Sequence, residues 1–187
     1  PRKPDAIGET PFEALPDPVP ATATEPYGIL VSGIGGTGVV TVGAIISMAA
    51  HLQGMGVSVL DIAGLAQKNG AVYSHVRIAE DPERLNAVRI AAGGTRLLIG
   101  CDMVTAASAE ALGKLKPGKT SAIVNANRTM TTDFTHDPDL EFPEQGFHDA
   151  LMAATGPGSI QFVDATQLAL TLLGDANATI GIGSAWT

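Results

Sequence analysis

The sequence has one cysteine, Cys101, one tryptophan, and aromatic side chains at only 4% of its 187 residues. A lone thiol excludes an internal disulfide, and it excludes a cysteine-ligated iron–sulfur cluster or cysteine-rich zinc site held by this chain alone. A reducing cytoplasm is the expected compartment. Charge is scarce as well, at 16% Asp, Glu, Lys and Arg against roughly 25% in ordinary domains. Positive charge is scarcest: eleven Lys plus Arg stand against nineteen Asp plus Glu, and neither basic type occurs after Arg128. The net charge of −8 makes nucleic acid and anionic membrane surfaces poor partners. No uncharged apolar run approaches the ~20 residues that span a bilayer, and no basic stretch followed by an apolar one opens the chain.

Hydrophobic residues are abundant instead, at 45%, enough for one core-rich domain. Seven of the twelve prolines fall in residues 1–26, among Asp5, Glu9, Glu13, Asp17 and Glu25. With few aliphatic side chains to offset backbone ordering, 1–26 reads as a proline-rich linker and 27–187 as the domain. The first residue is not Met and the last stretch, Ala176 to Thr187, carries no stop signal, so a fragment of a longer chain is expected.

From Tyr27, the run Gly28-Ile29-Leu30-Val31-Ser32 has the length and polarity of a strand and ends in the cluster Gly33-Ile34-Gly35-Gly36-Thr37-Gly38. Val39 to Gln53 follows, with Val39, Val40, Val42, Ile45, Ile46, Met48, Ala49 and Leu52 filling most of a helical wheel. That pattern predicts a helix buried on several sides, stopped by Gly54 and Gly56. Val57 to Asp61 reads as a second strand, and Ala71 to Ala79 as a third in which Val72, Ser74, Val76 and Ile78 alternate with Tyr73, His75 and Arg77. Further on, strands are expected at Thr95–Cys101, Thr120–Asn125 and Ile160–Val163. Helices are expected at Met103–Leu115, Gln145–Thr155 and Asp164–Leu173, with Asp102 and Asp164 as N-caps. Alternating strands and helices predict an α/β fold, a three-layer α/β/α Rossmann-like domain with a mixed, mostly parallel sheet.

Gly33 to Gly38 matches G-x-G-x-x-G between strand and helix, where glycines permit a tight turn and helix-start amides can face a phosphate. Asp61 lies 23 residues after Gly38, near the ~20-residue spacing of a ribose-binding acid. An autonomous NAD(P)-binding Rossmann-like module is therefore one reading; the other is that the glycines allow close packing and Asp61 is an ordinary strand-end acid. Against the first stands a short connection. Ten residues, Ile62 to Ala71, lie between Asp61 and Val72, while a parallel crossover wants about a dozen or more. The third strand is expected to be antiparallel or displaced.

Ile29-Leu30-Val31-Ser32-Gly33-Ile34-Gly35-Gly36-Thr37-Gly38-Val39-Val40, together with Gly64-Leu65-Ala66-Gln67-Lys68-Asn69-Gly70-Ala71-Val72-Tyr73-Ser74-His75-Val76-Arg77-Ile78, resembles the gamma domain of 2-oxoacid:ferredoxin oxidoreductases. The wording of the second motif is most similar to indolepyruvate ferredoxin oxidoreductases, particularly long single-chain fusions, and the resemblance covers about Tyr27 to Leu173. It implies an enzyme that oxidatively decarboxylates a 2-oxoacid on thiamine diphosphate with Mg, passes electrons through iron–sulfur clusters to ferredoxin, and delivers the acyl group to coenzyme A. The sequence has no Gly-Asp-Gly for Mg-diphosphate binding and too few cysteines for a cluster. By resemblance this segment is a supporting domain, without catalytic or metal-binding residues of its own and inactive alone, beside thiamine-binding and cluster-binding domains.

Two loops form the expected ligand surface. One is Gly33, Gly35, Gly36, Thr37 and Gly38, which could face a coenzyme A phosphate; the other is Gln67, Lys68, Asn69 and Gly70, which offers donors. Lys68 reads equally as a solvated lysine, and Asn69-Gly70 as a tight turn. His75 and Arg77 share a strand face and are expected at a contact with an acidic partner surface, the other reading being a half-exposed sheet face, whereas Ser74 and His75 point to opposite faces, which argues against a dyad. Cys101 reads as a small buried hydrophobe. His136 with Asp137, Asp139 and Glu141 reads as a solvated acidic turn rather than a metal loop.

Overall fold

Strand β1, Tyr27–Ile34, is buried from Gly28 onward, and the fold is built outward from it. The computed structural model describes residues 25–64, 70–127 and 143–173; the linker expected over 1–26 lies outside them except for its last two residues, and the acidic turn at 136–141 lies outside altogether. After β1 come α1 (Val39–Leu52), β2 (Gly56–Ala63), β3 (Ala71–Ala79), β4 (Thr95–Gly100), α2 (Met103–Ala106), α3 (Ala109–Leu112), β5 (Ser121–Asn125), α4 (Glu144–Thr155), β6 (Ile160–Val163) and α5 (Ala165–Leu173).

These strands form one six-stranded sheet in the order β2-β3-β1-β4-β5-β6. The β1–β4, β4–β5 and β5–β6 pairs are parallel, and β3 runs antiparallel to both of its neighbours. The mixed, mostly parallel sheet is as expected, and the short connection after Asp61 is its physical signature: too few residues for a crossover leave a hairpin of β2 with β3.

Alternation along β1 divides the core between two layers. Ile29 and Val31 join Val76, Ile99 and, from α1, Val39 and Val42. Leu30 joins Leu98 and Val124 with Met103 and Ala106 of α2, Ala111 of α3 and Leu151 of α4. Helices thus cover both faces, giving three layers. On the second face the ring of His148 stacks on Phe162 with centroids 3.8 Å apart, fastening α4 to β6.

Two helix expectations are corrected. The helix read over Met103 to Leu115 is two short ones, because the Ser108 side chain accepts a hydrogen bond from the Ala111 N–H and starts α3 afresh. The same hydroxyl pairs with that of Tyr73 at 2.8 Å. The second correction concerns α1, which is buried on one side only in this chain. Val39, Val42, Gly43 and Ala50 face the sheet, while Ile45 at 61% and Leu52 at 79% exposure, with Val40 and Met48, face outward. The apolar arc of the wheel is wider than one sheet layer covers.

Candidate functional site

The glycine cluster lies at the carboxyl end of β1. Thr37 closes it: both its N–H and its hydroxyl donate to the Ile34 carbonyl, at 3.0 and 2.7 Å. Gly36 and Gly38 have φ of 96° and 86°, a region that L side chains enter only at a cost. Gly38 is also the N-cap of α1, which has no side-chain cap and no acidic residue in its first turn. The leading N–H groups of a helix lack intrahelical partners, so this end presents donors and a partial positive charge.

Beside it lies a cavity of about 270 Å³ lined by Ile34, Gly36, Gly38, Val39, Val40, Thr41 and Val72. Its walls are mixed, with polar groups of the loop and Thr41 beside the apolar side chains. Val40, Thr41 and Val72 were not singled out as site residues by the sequence, because their places on helix and strand read as packing positions.

The five glycine-loop positions differ in what they do. Gly33 is packed shut: a Cβ there would lie 2.4 Å from Thr37 Oγ1 and 2.8 Å from both Cys101 Cβ and Val39 Cγ2. Thr37 spends its hydroxyl on the loop itself. Gly35 and Gly36 are exposed, and a Cβ on Gly36 would meet nothing within 4 Å.

The second loop returns to the same edge of the sheet. Gly35 N–H donates to the Gly70 carbonyl at 2.9 Å, and Gly64 N–H to the Ala71 carbonyl at 2.9 Å. The register of Ile34 against Ala71 fixes this juxtaposition. Gly70 is thus beside the glycine loop; Gln67, Lys68 and Asn69 lie outside the described residues.

Neighbouring strands β1 and β4 send their helices to opposite faces, which makes their carboxyl ends the topological switch point where α/β sheets open a crevice. Here Asp102 fills it. Its carboxylate is 0% exposed and accepts from Ile34 N–H and Thr105 N–H, each at 2.7 Å. Burial pushes its carboxyl above the ordinary range, against the opposing pull of the backbone donors of Thr105, Ile34 and Val104. The cap on α2 was legible in the sequence; the bond to Ile34 was not. Cys101 next to it is buried, and desolvation, with Asp102 nearby, pushes its thiol up to about 12, an inert packed group as expected.

Asp61 does not reach the glycine loop. It is exposed on edge strand β2, with β3 between it and β1, a displacement of two strand spacings or roughly 10 Å. A dinucleotide half places those two strands side by side, so the NAD(P) reading loses its acid.

The expectation for His75 is also corrected. Rather than meeting a partner surface, His75 is 0% exposed and its Nδ1 accepts from Ile90 N–H at 3.4 Å. The Arg77 guanidinium donates to the Ala87 carbonyl. The segment after β3 folds back over this face and claims both. Ser74 lies on the other face, against Gly43 of α1, and makes no dyad with His75.

Among curated proteins, the chain is 33% identical over 109 residues to indolepyruvate oxidoreductase subunit IorB of Archaeoglobus fulgidus, a match covering 57% of this chain and 50% of that subunit. It is 36% identical over 55 residues to the subunit of the same name from Thermococcus kodakarensis, covering 29% of this chain and 27% of that one. The chain thus matches half or less of the length of these relatives. Among solved structures, pyruvate oxidoreductase subunit PORC of Thermotoga maritima superposes with a TM-score of 0.56 at 17% identity, over 86% of this chain and 75% of that one. A 2-oxoglutarate:ferredoxin oxidoreductase from Magnetococcus marinus, solved with 2-oxoglutarate, coenzyme A and succinyl-CoA, gives 0.54 at 18% identity, over 83% of this chain and 22% of that one. At such identities these two show a shared fold. The family model of pyruvate ferredoxin/flavodoxin oxidoreductases matches residues 28–186, and the chain belongs to that family.

Proposed function

We propose that this chain is the gamma-type supporting domain of an indolepyruvate, or closely related 2-oxoacid, ferredoxin oxidoreductase. The whole enzyme releases carbon dioxide from the 2-oxoacid, passes electrons to ferredoxin and transfers the acyl group to coenzyme A in the cytoplasm. The observation that carries this reading is the family match over residues 28–186; the subunit name of the curated relatives supports indolepyruvate as the substrate.

Thiamine diphosphate, Mg and iron–sulfur clusters do not fit the residues present. The sequence has one cysteine and no Gly-Asp-Gly, and among the described residues no three His, Cys, Asp or Glu side chains are grouped to hold a metal ion. Those groups belong to the thiamine-binding and cluster-binding partners. Coenzyme A does fit. Gly36, Gly38 and the first turn of α1 would receive a phosphate through backbone N–H groups, Lys68 would add charge, and Val39, Val40 and Val72 would face the uncharged part. In a chain of net charge −8, binding a polyanion depends on such local donors.

Val40→Asp tests the contact in the complete enzyme. Val40 is exposed and an acid in the first turn favours the helix, so the fold is kept while a negative charge meets the phosphate. The KM for coenzyme A is expected to rise about tenfold or more, with the KM for the 2-oxoacid unchanged. An unchanged KM for coenzyme A removes the contact.

A further inference from the structure

The switch-point crevice that would ordinarily receive a ligand is occupied by a side chain of the protein itself. Asp102 Oδ2 takes the Ile34 N–H and Oδ1 takes the Thr105 N–H, each at 2.7 Å. Across the Ile34 Cα, the carbonyl of the next peptide receives Thr37 twice, and Thr37 is followed directly by Gly38, the left-handed N-cap of α1. A continuous run of bonds therefore leads from Asp102 through Ile34 and Thr37 to the helix end that faces the cavity. The far end of the run is anchored in the second core layer, where Met103 and Ala106 of α2 are buried against Leu30, Leu98 and Leu151.

We propose that Asp102 is a positioning residue: through Ile34 and Thr37 it sets the orientation of the glycine-loop N–H groups for an anionic ligand that it never touches. This rests on the reading of that loop as a coenzyme A contact. Among the described residues no cation faces this buried carboxylate; its partners are the backbone donors of Ile34, Thr105 and Val104 with the Thr105 side chain, so it ties the end of β1 to the start of α2. Two acceptor oxygens are required, since an amide supplies one and turns an NH₂ toward the other donor.

The test is a double-mutant cycle in the complete enzyme, with Asp102→Asn and Thr37→Val read by KM for coenzyme A, KM for the 2-oxoacid, kcat and melting temperature. Each single variant is expected to raise the KM for coenzyme A about five- to tenfold while leaving kcat and the 2-oxoacid KM unchanged. The double variant is expected to be no worse than the poorer single one, since both break the same run of bonds. Additive effects overturn the proposal, because a Thr37 that touched the ligand directly would act independently of Asp102. So do an unchanged KM for coenzyme A in both variants and an equal loss in every kinetic constant. Should Asp102→Asn fail to assemble, Asp102→Glu, which keeps both acceptor oxygens but displaces them by one methylene, takes its place in the cycle: a raised KM for coenzyme A that is not additive with Thr37→Val supports the proposal, and an unchanged KM or an additive effect overturns it. Val40→Asp separates the two levels: no effect there retires the coenzyme A reading itself, whereas an effect there with none in this cycle retires only the positioning role.

Discussion

The Gly35 N–H donates to the Gly70 carbonyl at 2.9 Å, and this one bond brings together two segments that the sequence separates by more than thirty residues. Antiparallel β3 makes it happen, since its register carries Ala71 back to Ile34. A parallel strand in that place would enter from the opposite edge of the sheet. The strand that spoils a dinucleotide half is thus the one that builds the paired loops.

Gly33 and Gly35 are expected to respond differently to the same substitution. Gly33→Ala forces Cβ against Thr37, Cys101 and Val39 and is expected to cost about 1–3 kcal/mol. Gly35→Ala meets its nearest neighbour, the Gly70 carbonyl, at 3.7 Å without a positive φ, so its melting temperature stays near that of the parent. Thermal denaturation of the two variants side by side checks both.

Stability is expected to fall in mildly acid solution because of His75. Desolvation holds its imidazole below the ordinary 6.5, with Lys114 and Arg89 adding to the effect and Glu110 opposing it. The unfolded chain binds the proton first as pH drops through about 6.5, so the native state loses stability there and stops losing it below the folded pKa. His75→Gln removes this slope. Asp102, with its carboxyl raised, slopes the other way and is present in both proteins, so the difference between the two denaturation curves isolates the histidine.

NAD(H) and NADP(H) are expected to give no binding heat with the chain at millimolar ligand. The displacement of Asp61 by the intervening β3 leaves the ribose without its acid, and Asp102 occupies the switch-point crevice. Saturable heat from either nucleotide would contradict this account of the glycine loop.

Much of the fold was legible because its signals are local. Alternation marked Ala71–Ala79 at its true ends, and Asp102 and Asp164 cap the helices they precede, by bonds to Thr105 and Gln167 N–H groups. The short Asp61–Val72 connection pointed to a strand either antiparallel or displaced, and β3 is antiparallel. What stayed hidden depends on long-range packing. Four-residue apolar spacing continues from Met103 to Leu115 whether or not Ser108 interrupts the helix, and the interruption comes with a bond to Tyr73 on a distant strand. Asp102 reaches Ile34 across 68 positions, so no window of sequence contains the contact. His75 read as half exposed because alternation assigns a face without saying what covers it, and here the cover is the backbone around Ile90.

The central claim, a supporting domain that acts only within a larger oxidoreductase, is tested most directly by indolepyruvate-dependent, coenzyme A-dependent reduction of ferredoxin. It is measured with this chain alone and with the complete enzyme carrying its thiamine-binding and cluster-binding parts. The account predicts no turnover by the chain and turnover by the complete enzyme; ferredoxin reduction by the chain alone, or none by the complete enzyme with any 2-oxoacid, would contradict it.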